Sequence, residues 1–450
     1  MDPIDEIAAA VGGTLLRGDG VTPTRIVHDS REVREGDLFV ALRGSRADGH
    51  AFLEDAFARG ACGALVSDPS TASDDTRNLI VVDDTLGALQ RLASAWRRRL
   101  GGTLVGITGS NGKTTTRALL AHVLSGRGGG RSVSNAPRNY NTEVGLPLAL
   151  LAMPETAAIG LFELGADRPG DIATLADLLV PDVAVVTSIG PSHLDGFGTV
   201  DAVAREKWSL VERLPANGFA VLNVDSPHLR HLAGTAPCRC VTVGLQHGAV
   251  RGRVVRDVPN LELVVDDPPM RLVCPLIGEH NAMNLLLAAA TAVQLGISPD
   301  ALQERAETFE PVPHRLRPVP TAFGTILDDT YNANPASAAG ALACLAQFGG
   351  HRTRRAFVFG EMRDLGPDAD RHHDEILALA NRLGIDAILP VGEQAIAACR
   401  RRPAAAVSIV DRPVLAEAVR ALCQGQRNSV VLVKGSRSLE LERLVAELAR

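Results

Sequence analysis

A glycine-rich segment at residues 108–115, TGSNGKTT, has the composition of a phosphate-binding loop. It follows an apolar stretch typical of a strand and opens a helical pattern, so its backbone N–H groups would gather at a helix N-terminus, where phosphate binds. Lys113 would reach the β- and γ-phosphates, and Thr114 would offer its hydroxyl to Mg²⁺. An ordinary glycine-rich turn would not need Lys-Thr directly after the second glycine. The residues expected to bind ATP are Gly109, Ser110, Asn111, Gly112, Lys113, Thr114 and Thr115.

Two further polar residues follow apolar stretches typical of strands. Glu163 ends the segment AAIGLFE, and His193 comes shortly after VAVVTSIG. Ligands of doubly wound sheets gather at the carboxyl ends of the strands, which is the edge that carries the phosphate loop. A carboxylate at that edge suits Mg²⁺. The alternatives, from the residues alone, are a solvated acid at a strand end and an exposed histidine in a loop.

Several segments, taken in chain order, resemble motifs of the Mur ligase superfamily. Thr142 and Ser188 each stand where the corresponding motif usually has asparagine. The matching segments are TGSNGKT at 108–114, NYNTEVGLP at 139–147, ELG at 163–165, TSIGPSHLDGFG at 187–198 and GEHNAMN at 278–284.

The resemblance implies a site for ATP and two Mg²⁺ ions. It makes Glu163 a metal ligand, places the second metal at His193, and puts Asn281 and Asn284 near the adenine. It also implies that Lys207 is carbamylated by CO₂, since a carbamate is an anion that can hold the second metal whereas a lysine cation would repel it. A solvated helix lysine beside its neighbouring glutamate is the alternative. The implied catalytic residues are Lys113, His193 and Lys207, and the implied metal ligands are Thr114, Glu163, His193 and Lys207.

Near the N-terminus, DSR at 29–31, GDLFVAL at 36–42 and DGH at 48–50 resemble a uridine-nucleotide-binding domain that two members of the superfamily share. This implies a UDP-muramoyl-peptide substrate. A polar loop would be the preferred interpretation of these residues without the resemblance. The implied substrate contacts here are Ser30, Arg31, Asp48 and His50.

Near the C-terminus, DDTYNANP at 328–335, GEMRDLG at 360–366 and KGSR at 434–437 resemble the members that add D-alanyl-D-alanine. The DNPR motif of the members that add the third peptide residue is missing from the sequence. A plain turn leading into a helix is the alternative for the first of these segments. The resemblance implies ATP contacts by Asp329 and by Arg315, which follows His314 in the place of a glycine, and substrate contacts by Asn139, Tyr331, Asn332 and Asn334.

Strand and helix patterns alternate along most of the chain, which predicts an α/β protein. Gly101-Gly102 ends a predicted helix and suits a hinge, and the proline-rich segment EPVPHRLRPVP at 310–320 suggests an extended linker. We therefore expect three domains: an α/β domain at 1–100 that binds the UDP-muramoyl peptide, a central parallel-sheet phosphate-loop ATPase domain at 101–312, and a Rossmann-like domain at 313–450 that binds D-alanyl-D-alanine and closes on ATP.

Composition excludes several other classes of protein. Lys plus Arg number 46 against 52 Asp plus Glu, without a basic stripe, so no nucleic-acid partner is expected. The seven cysteines are scattered and form no CxxC pair, which fits a reducing cytoplasm. The N-terminal residues carry acids where a signal peptide has lysine or arginine, so we expect no secretion signal. The longest apolar stretch, residues 285–297, falls short of the ~18 residues of a membrane span. We expect a cytoplasmic monomer that acts on small molecules.

The resemblance implies an ATP-dependent amide ligase. It would join D-alanyl-D-alanine to UDP-N-acetylmuramoyl-tripeptide through an acyl phosphate. Three alternatives are open: another ligase of the superfamily, such as the third-residue-adding enzyme or a folylpolyglutamate synthase; a phosphate-loop kinase or ATPase; and a non-catalytic nucleotide-binding module.

Overall fold

The computed structural model describes residues 1–17, 20–44, 47–68, 70, 77–126, 131–137, 139–350, 353–403, 406–424 and 428–450. Its strands form three sheets with helices packed against them, as the predicted α/β class requires. Each sheet is built from one continuous part of the chain. Within the described residues, no helix is long and apolar enough to cross a membrane.

The first sheet has the strand order β1-β5-β4-β3-β2, with only β1 antiparallel to its neighbour. Asp84 caps the last helix of this part by accepting the N–H groups of Leu86 and Gly87, both at 3.0 Å. The elements are α1 (Ile4–Val11), β1 (Thr14–Leu16), β2 (Ile26–Val27), β3 (Leu38–Val40), α2 (Leu53–Ala58), β4 (Gly63–Val66), β5 (Leu79–Val81) and α3 (Thr85–Arg97).

Helix α3 also joins the first two parts of the chain. Leu92 and Trp96 on α3 belong to the same hydrophobic core as Leu104 and Phe162, which lie beyond Gly101-Gly102. The Trp96 indole donates a hydrogen bond to the Met153 carbonyl at 3.0 Å. This continuous core argues against the hinge expected at Gly101-Gly102.

The central sheet has the order β14-β13-β12-β11-β10-β9-β6-β8-β7. It is parallel from β7 to β12, but β12, β13 and β14 pair antiparallel, which the expected parallel sheet does not include. The connections 257–260 and 266–269 have four residues each, a length typical of hairpin loops, and they join strands that pair antiparallel. The strands are β6 (Thr103–Thr108), β7 (Val133–Asn135), β8 (Ile159–Glu163), β9 (Val183–Val186), β10 (Phe219–Asn223), β11 (Arg239–Gly244), β12 (Val250–Arg256), β13 (Leu261–Val265) and β14 (Met270–Cys274).

The carboxyl ends of β8, β6 and β9 are neighbours in this sheet. This order brings together the phosphate loop after β6, Glu163 at the end of β8 and the loop that follows β9. The helices around the sheet are α4 (Lys113–Ser125), α5 (Gly145–Leu151), α6 (Asp171–Leu179), α7 (Leu194–Phe197), α8 (Val200–Glu212), α9 (Pro227–Leu232), α10 (Glu279–Gln294) and α11 (Pro299–Glu307).

The third sheet has the order β15-β16-β19-β17-β18 and is parallel except for β15. Part of the segment expected to be a linker is in fact the edge strand β15, where Pro318 and Pro320 are tolerated because one side of an edge strand has no partner. The elements are β15 (Arg317–Thr321), β16 (Gly324–Asp329), α12 (Pro335–Gln347), β17 (Arg354–Gly360), α13 (Ala369–Arg382), β18 (Ala387–Val391), α14 (Glu393–Arg401), α15 (Leu415–Cys423), β19 (Ser429–Lys434) and α16 (Glu442–Leu448).

The connection between the second and third parts is short. Val312 is buried in the central core, and Leu316 is buried in the core of the third sheet. Between them the backbone turns sharply, with φ of 64° at His314 and 51° at Leu316. The change of domain is therefore confined to residues 312–316.

Candidate active site

A cavity of about 770 Å³ lies between the central and C-terminal domains. The phosphate loop and the loops after β8 and β9 form one wall of this cavity. The loops after β16, β17 and β19 form the other. Both walls consist of carboxyl ends of parallel strands, where α/β proteins bind their ligands.

Two glycines of the phosphate loop have backbone conformations and surroundings that admit no side chain. Gly109 has φ of 147°, and a Cβ atom there would lie 2.0 Å from the Thr187 hydroxyl. Gly112 has φ of 87°, and its Cβ would lie 2.2 Å from Oδ1 of Asn284. The Lys113 ammonium donates to the Gly109 carbonyl at 2.6 Å, so the lysine folds back over its own loop.

Serine side chains attach the phosphate loop to the loop after β9. The Asn111 N–H donates to the Ser188 hydroxyl at 2.9 Å, and the Ser110 N–H donates to the Ser188 carbonyl at 2.9 Å. Helix α4 begins at Lys113, and the first N–H groups of a helix have no partner within it. The N–H groups at residues 113–115 can therefore hold phosphate, whereas those of Ser110 and Asn111 have partners already.

Thr114 and Glu163 meet at the base of the cavity. The Thr114 hydroxyl donates to Oε2 of Glu163 at 3.1 Å. The other carboxylate oxygen, Oε1, accepts a hydrogen bond from Nε of Arg117 at 2.7 Å. Mg²⁺ prefers oxygen ligands, and this pair offers a hydroxyl and a carboxylate oxygen, so it fits the predicted metal site.

His193 lies after β9 with φ of 50°, in the left-handed region that few non-glycine residues adopt. Its Nδ1 is 3.1 Å from Oδ1 of Asp167. Burial lowers the pKa of His193, so the neutral ring that can bind a metal is favoured.

Lys207 is almost completely buried, with 2% of its surface exposed. Burial, and then the nearby charge of Lys113, lower the pKa of Lys207 to about 7. The carboxylate of the adjacent Glu206 accepts the N–H groups of Gly170 and Ile172 at 2.8 and 2.6 Å. Lys207 is therefore not the solvated helix lysine of the alternative interpretation.

The described residues contain no group of three or more His, Cys, Asp and Glu side chains that could hold a metal ion. Of the predicted metal ligands, Thr114, Glu163 and His193 need no chemical modification, and all three line the cavity. Mg²⁺ commonly takes one or two protein carboxylates together with substrate phosphates and water. The residues present fit such a partly open site.

Asn281 and Asn284 line the cavity but are buried and bonded to each other. Nδ2 of Asn284 donates to Oδ1 of Asn281 at 2.9 Å, and Nδ2 of Asn281 donates to the Ile277 carbonyl at 2.8 Å. The Thr116 hydroxyl donates to Oδ1 of Asn284 at 3.3 Å. This chain of amides fixes α10 against α4, and the predicted adenine contact remains a prediction.

The C-terminal domain brings several predicted residues to the phosphate loop. Nδ2 of Asn334 donates to Oδ1 of Asn111 at 2.8 Å. Nη2 of Arg315 donates to the Thr114 hydroxyl at 3.4 Å, and its guanidinium lies 3.8 Å from the centre of the Tyr331 ring. These contacts join the two walls of the cavity.

Two more predicted residues lie at this interface. The Tyr331 hydroxyl donates a hydrogen bond to Oδ1 of Asn139. The Asn332 carbonyl accepts a hydrogen bond from the buried ammonium of Lys434 at 2.9 Å, and Asp329 accepts another at 2.6 Å. Burial lowers the pKa of Lys434. The KGSR segment marked Lys434 in the sequence, but no role was predicted for this lysine.

The four predicted contacts in the first domain do not line the cavity. Oδ1 of Asp48 accepts a hydrogen bond from Nδ1 of His50 at 2.6 Å, and Nε2 of the buried ring accepts the Ser67 N–H at 2.9 Å. Arg31 pairs with Asp29 at 2.6 Å. Their role in binding a uridine nucleotide, like that of Ser30, remains a prediction.

Sequence reasoning missed other residues of the site. Asp167, Arg168, His280, Arg363 and Asp364 all line the cavity. The Asp364 carbonyl accepts the N–H of Leu194, next to His193, at 3.2 Å. Their polar character was a signal, but only the folded chain places them on one cavity.

The fold and the site together define a three-domain α/β enzyme with a phosphate loop in an interdomain cleft. Family models match three parts of the chain: "Mur ligase family, catalytic domain" at 23–97, "Mur ligase middle domain" at 107–292 and "Mur ligase, glutamate ligase domain" at 314–437. The chain therefore belongs to the Mur ligase family, and it is an ATP-dependent ligase.

Relatives with similar sequences are named UDP-N-acetylmuramoyl-tripeptide–D-alanyl-D-alanine ligase. The protein from Escherichia coli is 32% identical over 96% of this chain and 95% of its own length. The protein from Treponema pallidum is 35% identical over 98% and 97%. Among solved structures, MurF from Acinetobacter baumannii has a TM-score of 0.90 at 28% identity, covering 100% of this chain and 98% of that one. MurF from Thermotoga maritima in complex with ADP has a TM-score of 0.84 at 29% identity, covering 96% and 98%.

Proposed function

We propose that this ligase joins D-alanyl-D-alanine to UDP-N-acetylmuramoyl-tripeptide, with ATP converted to ADP and phosphate. The product would be UDP-N-acetylmuramoyl-pentapeptide, a precursor of peptidoglycan. The names of the relatives support this substrate pair. The observation that carries the proposal is the contact between Asn111 of the phosphate loop and Asn334 of the YNANP segment, since both segments line one cavity. It supports a reaction in which ATP and D-alanyl-D-alanine, the ligands predicted for these two segments, meet.

Each domain has a part in the proposed reaction. Residues 1–100 bind the UDP-muramoyl peptide, residues 101–312 bind ATP, and residues 313–450 bind D-alanyl-D-alanine and close over ATP. We also propose a cytoplasmic monomer that takes only small molecules as substrates.

In the first step a carboxylate oxygen of the tripeptide attacks the γ-phosphorus of ATP, and the bond to the β-phosphate oxygen breaks. The main barrier is repulsion between two anions. Burial lowers the pKa of Lys113. The negative charge of an incoming phosphate would favour the charged ammonium and draw it from the Gly109 carbonyl. Mg²⁺ held by Thr114, Glu163, His193 and Lys207 would neutralise further phosphate charge.

In the second step the amine of D-alanyl-D-alanine attacks the acyl carbon. The C–N bond forms, the C–O bond to phosphate breaks, and the amine loses a proton. Water would hydrolyse the acyl phosphate, so the site must exclude it. The contacts of Asn334, Arg315 and Tyr331 with the central domain support such a closure.

We further propose that Lys207 is carbamylated. The neutral amine attacks CO₂, the N–C bond forms, one C–O π bond becomes a carboxylate and a proton leaves. The supporting observation is the buried amine whose pKa lies at about 7, because a large fraction of such amines is neutral at neutral pH. The resulting anion would complete the second metal position beside His193.

Other ligases of the superfamily are the second candidate. A diaminopimelate ligase structure is 21% identical with a TM-score of 0.54, and a folylpolyglutamate synthase is 19% identical with a TM-score of 0.62. At these identities the likeness concerns the fold alone.

The test is phosphate release from ATP with UDP-N-acetylmuramoyl-tripeptide, measured with and without D-alanyl-D-alanine. We expect release to depend on the dipeptide, and the pentapeptide product to appear by mass spectrometry. Free diaminopimelate and lysine, offered with the dipeptide precursor, serve as control acceptors. Their incorporation would identify a different ligase, and release without any amine would identify an ATPase or kinase.

A further inference from the structure

Arg117 is a buried cation that the proposed reaction leaves without a role. It lies on α4 one turn after Lys113, and 4% of its surface is exposed. Burying a guanidinium costs free energy unless its N–H donors have acceptors, so the partners of Arg117 indicate what this residue does.

The partners of Arg117 lie at the ends of two neighbouring strands. Nε donates to Oε1 of Glu163, at the end of β8, at 2.7 Å. Nη1 donates to Oδ1 of Asn135, at the end of β7, at 2.5 Å, and also to the Ala136 carbonyl. One rigid side chain therefore connects the helix of the phosphate loop to both strand ends.

This arrangement leaves the two oxygens of Glu163 in different positions. Oε1 is held by Arg117, whereas among the described residues Oε2 accepts a hydrogen bond from the Thr114 hydroxyl alone, at 3.1 Å. A metal ion beside Thr114 can therefore approach Oε2 alone. Bidentate binding by Glu163 would require the cationic guanidinium to move away.

We propose that Arg117 is a positioning residue that makes Glu163 a one-oxygen ligand and so favours Mg²⁺ over Ca²⁺. The proposal rests on the proposed function, in which Glu163 binds the metal of ATP. Mg²⁺ requires near-octahedral geometry at 2.0–2.1 Å, and Ca²⁺ accepts bidentate carboxylates and more ligands. Partners that orient a metal ligand typically change metal affinity by about 10–100-fold.

The experiment measures Mn²⁺ binding to the enzyme with ADP by electron paramagnetic resonance, with Mg²⁺ and Ca²⁺ as competitors. Arg117→Lys keeps the positive charge but loses the planar guanidinium with its several N–H donors. In this variant we expect the Mn²⁺ and Mg²⁺ affinities to fall about 10-fold or more. The ratio of Mg²⁺ to Ca²⁺ affinity should also fall. Arg117→Met should show a larger loss, although it leaves Glu163 buried without its partner and can fail to fold.

The same Arg117→Lys substitution is also tested in a variant that lacks the Glu163 carboxylate. In Glu163→Gln the carboxylate is absent, so adding Arg117→Lys should change Mn²⁺ binding no further. Arg97→Met is the matched control, because Arg97 is also a partly buried arginine and donates to the Leu179 and Val180 carbonyls at the end of α6, outside the cavity. We expect Arg97→Met to lower the melting temperature without changing metal binding.

Wild-type affinity and an unchanged Mg²⁺ to Ca²⁺ ratio in a folded Arg117→Lys enzyme would overturn the proposal. So would unchanged Mn²⁺ binding in Glu163→Gln, since Glu163 would then not be a ligand. The assay contains no muramoyl peptide and no D-alanyl-D-alanine. A wrong choice of acceptor would therefore appear in the phosphate-release test and leave this result intact.

Discussion

Lys113 is the side chain that faces the transferred phosphate most directly in the proposed reaction. Its hydrogen bond to the Gly109 carbonyl holds it over the loop. Its contribution is therefore to charge stabilisation in the transition state.

Lys113→Ala should lower kcat by about 10²–10³-fold or more, because removing one preorganised donor from a developing charge has an effect of that size. The melting temperature should change little. Phosphate release and thermal unfolding measure the two quantities, and Lys113→Arg is the charge-preserving control. A near-normal kcat would reject the assigned role.

The carbamate on Lys207 should depend on pH in a defined direction. With a pKa of about 7, roughly one tenth of the amines are neutral at pH 6 and roughly nine tenths at pH 8. Only the neutral amine reacts with CO₂, so carbamylation should rise between pH 6 and pH 8. The carbamate signal of enzyme equilibrated with ¹³C-labelled CO₂, measured by NMR, checks this.

Activity provides a second measure of the same modification. Lys207→Ala should lose most activity and recover part of it with small carboxylates, and the wild type should lose activity when CO₂ is removed. A fully active Lys207→Ala enzyme would show that the reaction does not need Lys207, and a carbamate signal absent at pH 8 would show that the amine is unmodified.

At the scale of elements, the tight packing of α4 against α10 determines the shape of the phosphate loop. Gly112 lies between these helices, facing the amide of Asn284. A side chain at this position would have to displace that amide and would strain the backbone at φ of 87°.

Gly112→Ala should destabilise the protein by about 1–3 kcal/mol and weaken ATP binding. Gly101→Ala is the matched control, because no heavy atom of the described residues other than its chain neighbours lies within 4 Å of the Cβ position at Gly101. Calorimetric titration with an ATP analogue and thermal unfolding compare the two variants. Equal ATP affinity in both variants would contradict the packing argument.

For the whole molecule, the two domain connections differ in kind. The first and central domains share one hydrophobic core, whereas the core of the C-terminal domain includes Ile277 alone among the described central-domain residues, and these two domains also meet at hydrogen bonds such as that between Asn111 and Asn334. Domain motion should therefore be concentrated at residues 312–316.

Small-angle scattering should show a smaller radius of gyration when an ATP analogue and the UDP-precursor are added together. Distance labels between the first and central domains should report no change, whereas labels between the central and C-terminal domains should move closer. An unchanged radius would count against closure of the C-terminal domain on its ligands.

The local chemistry of this protein could be predicted from its sequence alone. The TGSNGKTT loop could be predicted because glycines, lysine and threonine act within one turn, and Glu163 because it ends an apolar strand. The alternation of strands and helices predicted the α/β class, although the antiparallel pairing of β12, β13 and β14 was not predicted.

The pairing of residues that are distant in sequence is seen only in the tertiary structure. Arg117 and Glu163 are 46 residues apart, and Asp329 and Lys434 are 105 apart, so no local pattern relates them. Burial could not be predicted either, because Lys207 looks like an ordinary helix lysine in the sequence and only packing removes it from water. Periodicity reports which face of an element is apolar, whereas a charge acquires its partner and its pKa only when separate elements pack around it.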